Sequence, residues 1–128
     1  MSKLQEEFHY IYQAEVIRWV DGDTVDLVID LGFKLTLGSQ NKPVRFRLWA
    51  INAPEKYKVG GPEATAYVNE LAPVGSLVII RTFKINDDDN FGRYLTAIYI
   101  GEIKFVAVEG LTIGESLLAA GHATLYEK

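Results

Sequence analysis

The first half of the chain is patterned for β-strands. Residues 8–20 are rich in aromatic and β-branched side chains, and apolar residues then alternate with other residues along 25–30 and 44–49. A period of two is typical of strands that bury one face. Asp21-Gly22 lies between the first two segments and is a turn signal, while residues 31–42 indicate a short strand followed by a polar loop. We therefore expect three main strands and one minor strand in this half.

Helical spacing first appears after Gly61-Pro62. Proline suits the first helical position, and apolar residues then follow an i, i+3, i+4, i+7 stripe. Residues 77–84 and 93–100 return to strand character around a polar turn. Thr112-Ile113-Gly114-Glu115 has the spacing of a capping box, and Gly121 marks the end of the helix that this box opens. This order of elements predicts a five-stranded Greek-key barrel with helices packed around it.

The composition indicates one globular domain and excludes several classes of functional site. The 128 residues are 48% hydrophobic and 23% charged, which predicts a single folded domain over residues 1–128 rather than a disordered chain. The chain has no cysteine, so disulfides, thiolate zinc sites and cysteine nucleophiles are excluded. His9 and His122 are the only histidines, which leaves little material for a histidine-rich metal site or a Ser-His-Asp relay.

The net charge and the N-terminal sequence indicate which partners and which cellular location to expect. The net charge of -4 is unfavourable for a protein that coats nucleic acid, and acceptable for an enzyme that touches a few phosphates and then releases them. The first seven residues contain no apolar run, so we expect no signal peptide. Apolar stretches of membrane-spanning length are absent from the sequence. We therefore expect no contact with a membrane, and a location that is cytoplasmic or unknown. We also expect a monomer.

Asp21 and Asp23 lie two residues apart, so on an extended backbone both carboxylates face the same side. Two close carboxylates disfavour each other's ionisation unless a cation lies between them. The pair is compatible with a cation site and equally with an ordinary turn, because Asp and Gly are common turn residues. An EF-hand is a poor alternative, since its sixth and twelfth positions counted from Asp21 are Asp26 and Gly32 rather than Gly and Glu.

Arg47, Glu55 and Arg93 have the chemistry needed to bind phosphate and to activate water. An arginine binds a phosphate through two parallel hydrogen bonds and stays charged at any relevant pH, while a glutamate can accept a proton from water. Each residue also has a plainer interpretation. Arg47 and Glu55 can pair as a salt bridge, and Arg93, beside a charged loop, can be a surface residue. Taken singly, these residues leave the alternatives open.

Five segments, in this order and spacing, resemble the staphylococcal nuclease-like (thermonuclease) domain family. The resemblance covers nearly the whole chain, from about Tyr12 to Ala123. Together the five are much more specific than any one of them. They are Val20-Asp21-Gly22-Asp23-Thr24-Val25, Phe46-Arg47-Leu48 through Asn52-Ala53-Pro54-Glu55, Gly61-Pro62-Glu63-Ala64-Thr65-Ala66, Phe91-Gly92-Arg93-Tyr94-Leu95, and residues 117–123.

The resemblance implies an OB-fold barrel, mostly β with two or three flanking helices. It also implies hydrolysis of DNA and RNA that depends on Ca²⁺, favours single strands and leaves 3′-phosphate ends. By the family's motif, Asp23 is a direct calcium ligand, with Asp21 in the outer shell of the ion. Ala53 is a ligand only through its backbone carbonyl.

The catalytic side chains that the resemblance implies are Arg47, Arg93 and Glu55. The two arginines match the family's phosphate-binding pair, and Glu55 matches its presumed general base. Two positions depart from the best-known member. Asn52 replaces a ligating aspartate, which keeps an amide oxygen but removes one charge, so calcium affinity should fall. Phe91 replaces a nucleotide-contacting tyrosine, which keeps an aromatic face for the substrate but removes a hydroxyl.

A non-catalytic barrel that binds single-stranded nucleic acid or a protein partner is the alternative class of function. Family members that have lost their acids and arginines behave in this way. Asp23, Arg47, Glu55 and Arg93 are all present in this chain. Their presence favours the enzyme over the binding module.

Overall fold

The structure, a computed structural model, describes residues 10–82, 94–100, 103–104, 107–108 and 112–125. The strands are β1 (Tyr10–Asp21), β2 (Thr24–Gly32), β3 (Leu35–Leu37), β4 (Val44–Leu48), β5 (Ile51–Asn52), β6 (Leu77–Thr82), β7 (Tyr94–Tyr99), β8 (Ile103–Lys104), β9 (Ala107–Val108) and β10 (Thr124–Leu125), and the helices are α1 (Gly61–Leu71) and α2 (Ile113–Ala119). Within these residues, no helix is both long and apolar enough to cross a membrane.

Five strands close into a barrel. β1, β6, β7, β4 and β2 are hydrogen-bonded in that order, and β2 pairs back with β1. β4 and β7 run parallel, whereas the other barrel pairs are antiparallel. β3 adds to β2 outside the barrel, and β5 pairs with β10 in a separate short sheet. The prediction of an OB-type barrel with two flanking helices is confirmed.

The alternating pattern of the sequence fills the barrel. Val25, Leu27 and Ile29 of β2 are buried, as are Phe46 and Leu48 of β4. Burying a side chain of this size contributes roughly 1.5–3 kcal/mol relative to leaving it in water. This burial determines which residues of β2 and β4 face the core, so the residues between them must face outward.

Both predicted helices are present, and each begins where the sequence indicates. Gly60, with a φ of 83°, precedes α1, and Pro62 lies in its first turn. Thr112 and Glu115 form the expected capping box of α2, because each side chain accepts a hydrogen bond from the backbone N–H of the other. Gly121 follows α2 in the left-handed conformation, with a φ of 80°.

Helix α1 is held against the barrel at the end of the β1–β2 hairpin. Ala64 and Val68 of α1 are fully buried. The indole N–H of Trp19 on β1 donates to the carbonyl of Ala72 just after the helix, at 2.8 Å. This anchoring places the N-terminal half of α1 beside the hairpin turn, where the candidate site lies.

Candidate functional site

The β1–β2 hairpin turn carries the two predicted carboxylates to the surface of α1. Asp21 pairs with Thr24 across the hairpin, so Gly22 and Asp23 form the two-residue turn. A Cβ atom on Gly22 would lie 2.9 Å from the Cβ of Ala64 and 3.1 Å from the Cβ of Ala53. Glycine is therefore needed here for close packing.

Asp23 is buried, and both of its carboxylate oxygens accept hydrogen bonds. Oδ2 accepts from the backbone N–H of Ala53 at 2.9 Å, and Oδ1 accepts from the hydroxyl of Thr24 at 2.9 Å. Asp21 reaches the same loop three residues later, where its Oδ1 accepts from the backbone N–H of Lys56 at 2.7 Å. The two carboxylates thus bind both ends of the segment 53–56, and a carboxylate oxygen retains a further lone-pair site after one hydrogen bond.

Arg47 lies in the same cluster. It pairs with Thr24 in the β2–β4 ladder, and it is only 9% exposed. Its Nη2 atom donates to the Ile51 carbonyl at 3.1 Å and to the Asn52 amide oxygen at 3.2 Å. The same atom is 3.7 Å from Oδ2 of Asp23, an ion-pair distance longer than a hydrogen bond. One guanidinium nitrogen therefore bridges Asp23 and Asn52.

The turn between β4 and β5 brings Asn52 back to Arg47. Ala50 in this turn has a φ of 61°, a left-handed conformation that costs a non-glycine residue about 1–2 kcal/mol. β5 then pairs with β10, where Asn52 lies opposite Thr124. Asn52 is exposed, so its side chain closes the outer side of the site. We call Asp21, Asp23, Arg47 and Asn52 the hairpin cluster.

Glu55 lies in the loop that Asp21 and Asp23 bind, between Ala53 and Lys56. Its side chain is 67% exposed, and Oε1 lies 3.9 Å from Nζ of Lys58. The loop closes on itself: a Cβ atom on Gly61 would collide with the Glu55 carbonyl oxygen, so only glycine fits there. Glu55 is thus a solvent-accessible carboxylate on a backbone that is fixed at both ends.

The oxygen atoms of the hairpin cluster match a hard cation in chemical type. Two carboxylates, one amide oxygen and the Ala53 carbonyl are the kinds of donor that Ca²⁺ takes. Among the described residues, however, no group of three or more His, Cys, Asp and Glu side chains is placed to hold a metal. Arg47 also contributes a positive charge 3.7 Å from Asp23. These oxygen donors are therefore of the types that bind calcium, but together they carry less negative charge than a site built from carboxylates alone.

The structure brings together Asp21, Asp23, Arg47, Asn52 and Ala53 as predicted neighbours, with Glu55 on the adjoining loop. Their roles as calcium ligands, phosphate ligand and base remain predictions. The other two predicted site residues, Phe91 and Arg93, lie outside the described residues.

Three contributions to this site were not predicted from the sequence. Thr24 holds the Asp23 carboxylate through its hydroxyl, Lys56 binds Asp21 through its backbone N–H, and Gly22 packs against α1. The Thr24 contact is the local one, since Thr24 directly follows Asp23 in the sequence. The other two depend on where the 53–56 loop folds, and no local pattern gives that.

Comparisons with known proteins identify the family of the chain. A family model described as staphylococcal nuclease homologue matches residues 45–128, which is more than half of the chain. The match includes Arg47, Asn52 and Glu55, and the β1–β2 hairpin precedes it. Protein ParB of Escherichia coli is 31% identical over 90 residues, which cover 69% of this chain and 42% of that protein. The chain thus spans less than half the length of this relative.

Proposed function

Because the chain belongs to the family of staphylococcal nuclease homologues, we propose that it hydrolyses phosphodiester bonds of DNA and RNA. The family is generally one of nucleases. Our finer proposal is a calcium-dependent monomeric enzyme that favours single strands and leaves 3′-phosphate ends. It rests on one observation above all: Arg47 lies between Asp23 and Asn52, and the loop that Asp21 and Asp23 bind carries the exposed carboxylate of Glu55.

Arg47 would bind the phosphate that is cut. A buried guanidinium held by three protein oxygens loses little freedom when a phosphate binds, so its donors are preorganised. Charge on the phosphate oxygens rises as the transition state forms, and a donor fixed in a poorly hydrated position stabilises that charge strongly. Arg93 would supply the second positive charge, as the family motif implies.

Glu55 would accept the proton of the attacking water. The water oxygen bonds to phosphorus as the bond from phosphorus to the 5′-oxygen breaks, which leaves the phosphate on the 3′ side. Glu55 suits this step because its carboxylate is accessible to water and its backbone is fixed. Phe91 would offer its ring to a base of the substrate.

Asp23, Asn52 and the Ala53 carbonyl would hold Ca²⁺, with Asp21 outside them. When bound, the ion supplies Lewis-acid stabilisation of the phosphate and a template for the attacking water. Asp23 would orient its oxygens through Thr24 and the Ala53 N–H, as it does in the structure. Asn52 would have to share its amide oxygen with Arg47.

The proposal is tested by incubating the purified protein with single-stranded DNA and with RNA in Ca²⁺, in Mg²⁺ and in chelator. Cleavage is expected in Ca²⁺ and should be much weaker in Mg²⁺, which requires a stricter octahedral set of ligands. Asp23→Asn, purified in the same way, controls for contaminating nucleases and should be inactive. If the parent fails to cleave in Ca²⁺, or if Asp23→Asn cleaves equally well, the binding-module alternative replaces the enzyme.

A further inference from the structure

A second group of arginine and aspartate side chains lies on the outer face of the barrel. Arg18 of β1, Asp26 of β2 and Arg45 of β4 are side by side, because Asp26 pairs with Arg18 in one ladder and with Arg45 in the other. Asp26 accepts from Nε and Nη2 of Arg45 at 2.8 and 3.1 Å, and from Nη2 of Arg18 at 3.3 Å. We call these three residues the arginine row.

The arginine row exposes its cations and buries its anion. The side chain of Asp26 is 7% exposed, whereas those of Arg18 and Arg45 are 62% and 45% exposed. The hydrogen bond to Asp26 raises the pKa of Arg45 above its ordinary value. Two positive charges surround one negative charge, so the row carries a net positive charge in a protein whose net charge is -4.

Within the described residues, most hydrogen-bond donors of the arginine row have no acceptor. Two guanidiniums carry ten N–H groups, and Asp26 accepts three of them. Neither Arg18 nor Arg45 has a further hydrogen-bond partner among the described residues. Asp26 therefore fixes both side chains in place and leaves their remaining N–H groups to an external acceptor.

The arginine row opens into a groove that is large enough for a phosphate and its sugar. Ile17, Pro43 and the three members of the row line an open groove of about 630 Å³. Guanidinium groups in a fixed position match the oxygens of a phosphate better than those of a neutral ligand. Ile17 and Pro43 add apolar surface on which a sugar or base can lie.

The arginine row lies next to the hairpin cluster on the same strands. Thr24 and Arg47 are paired across β2 and β4, and Asp26 and Arg45 are the pair two residues further along. Residues two apart face the same side of a strand and are separated by about 7 Å. This spacing is of the same order as one nucleotide of an extended strand.

We propose that the arginine row binds a phosphate of the substrate strand adjacent to the phosphate held by Arg47. The proposal rests on the proposed function for the identity of its ligand, a single-stranded nucleic acid. The strand would run across β2 and β4 from the hairpin cluster to the groove. Arg18 and Arg45 would then position the strand without touching the bond that is cut.

Equilibrium binding tests the arginine row without any need for cleavage. We would measure the affinity of a short fluorescent oligothymidylate in chelator at several salt concentrations, for the parent and for Arg18→Gln. Losing one phosphate contact should make the slope of log affinity against log salt shallower by about 0.7 and weaken binding several-fold. Arg18→Lys keeps the charge and should keep the slope.

Lys34→Gln is the matched control, because it removes one positive charge from an exposed position in the β2–β3 turn. It should retain the parent's slope. Arg18→Gln should remain folded, since Asp26 keeps both hydrogen bonds from Arg45, and thermal melting checks this. If Arg18→Gln retains the slope of the parent, or lowers only the melting temperature, the arginine row is purely structural and the proposal is overturned.

Kinetics separates this proposal from the proposed function. If the protein cleaves, Arg18→Gln should raise KM for an oligonucleotide more than for a dinucleotide, which has a single phosphodiester. An equal effect on both substrates would overturn the proposal even though the protein is a nuclease. If nothing is cleaved and Arg18→Gln still has the shallower salt slope, the phosphate site is supported and the proposed function alone fails.

Discussion

The hairpin cluster and the arginine row both combine arginine and aspartate side chains at neighbouring positions of the same strands, yet the burial of their arginines is opposite. In the hairpin cluster Arg47 is buried and bridges Asp23 and Asn52. In the arginine row the aspartate is buried and its two arginines reach into solvent. The difference arises from the surroundings of each arginine on β4: the chain turns at Ala50 and returns over Arg47, whereas Arg45 borders an open groove.

Opposite burial suits opposite roles. A charge held in a poorly hydrated environment interacts strongly with charge that develops beside it, which is what a transition state requires. An exposed charge is screened by salt and contributes little to stability, but it can bind and release a phosphate easily. We therefore propose the chemical step for the hairpin cluster with Glu55, and strand binding for the arginine row.

The largest expected effect is that of Glu55→Gln. Removing the proton acceptor should lower kcat on single-stranded DNA by about 10²–10⁴. The melting temperature should hardly change, because the side chain is exposed and its one ion pair within the described part of the chain is with Lys58 at 3.9 Å. Lys58→Met removes the same ion pair and keeps the carboxylate, so it should stay active. Comparable losses in both variants would point to the ion pair, and Glu55 would not be the base.

The two arginines of β4 can be compared by making the same substitution at each, Arg47→Lys and Arg45→Lys. Lysine keeps the charge but loses the planar donors, so Arg47→Lys should lower kcat by about 10²–10³. It should also lower the melting temperature, since the bonds to Ile51 and Asn52 depend on the guanidinium. Arg45→Lys should act chiefly on KM for long strands. If both variants change kcat to the same degree, the division of roles between the two clusters is wrong.

Asn52→Asp tests whether calcium binds at the hairpin cluster. The added carboxylate should attract both Arg47, 3.2 Å from the present amide oxygen, and any bound Ca²⁺, while repelling Asp23. Each tenfold gain in calcium affinity adds about 1.4 kcal/mol to stability at saturating calcium, or roughly 5 °C in melting temperature for a domain of this size. Melting with and without Ca²⁺ measures this. A calcium-induced gain no larger than the parent's would remove Asn52 from the ligand set.

Ala50→Gly should have the smallest effect, and its sign is informative. The left-handed turn that returns the chain to Arg47 strains an alanine, and glycine relieves this strain at some cost in chain entropy. We expect a net gain of about 0.5–1 kcal/mol in the free energy of unfolding, measured by denaturant titration. A loss of stability would mean that the Ala50 side chain, rather than the turn, holds the β4–β5 connection.

The strands of the barrel were predictable from the sequence, but the burial of outward-facing residues was not. The alternation along β4 placed Arg45 and Arg47 on the same face, which is correct. Whether such a residue is covered depends on residues that return to it from elsewhere, such as Asn52 over Arg47 and the two arginines over Asp26. These contacts result from turns and from strand order, which a period of two does not encode.

The carboxylates of the hairpin turn likewise have surroundings that the sequence pattern predicted only in part. The sequence placed Asp21 and Asp23 on one side of a short segment, and both do reach the same loop. It did not show that Gly22 packs directly on α1, because helix and hairpin are distant in sequence. The residue types of the site were thus predictable from motifs, and their contacts required the closed barrel.

The chemistry of the product ends is the most direct test of the hairpin cluster as a phosphodiesterase site. A 5′-labelled single-stranded oligonucleotide is incubated with the protein in Ca²⁺, and the products are treated with or without a phosphatase that removes 3′-phosphates. We expect phosphatase treatment to change the mobility of every labelled product, because each carries a 3′-phosphate. Products that are insensitive to the phosphatase, or the absence of any product, would contradict it.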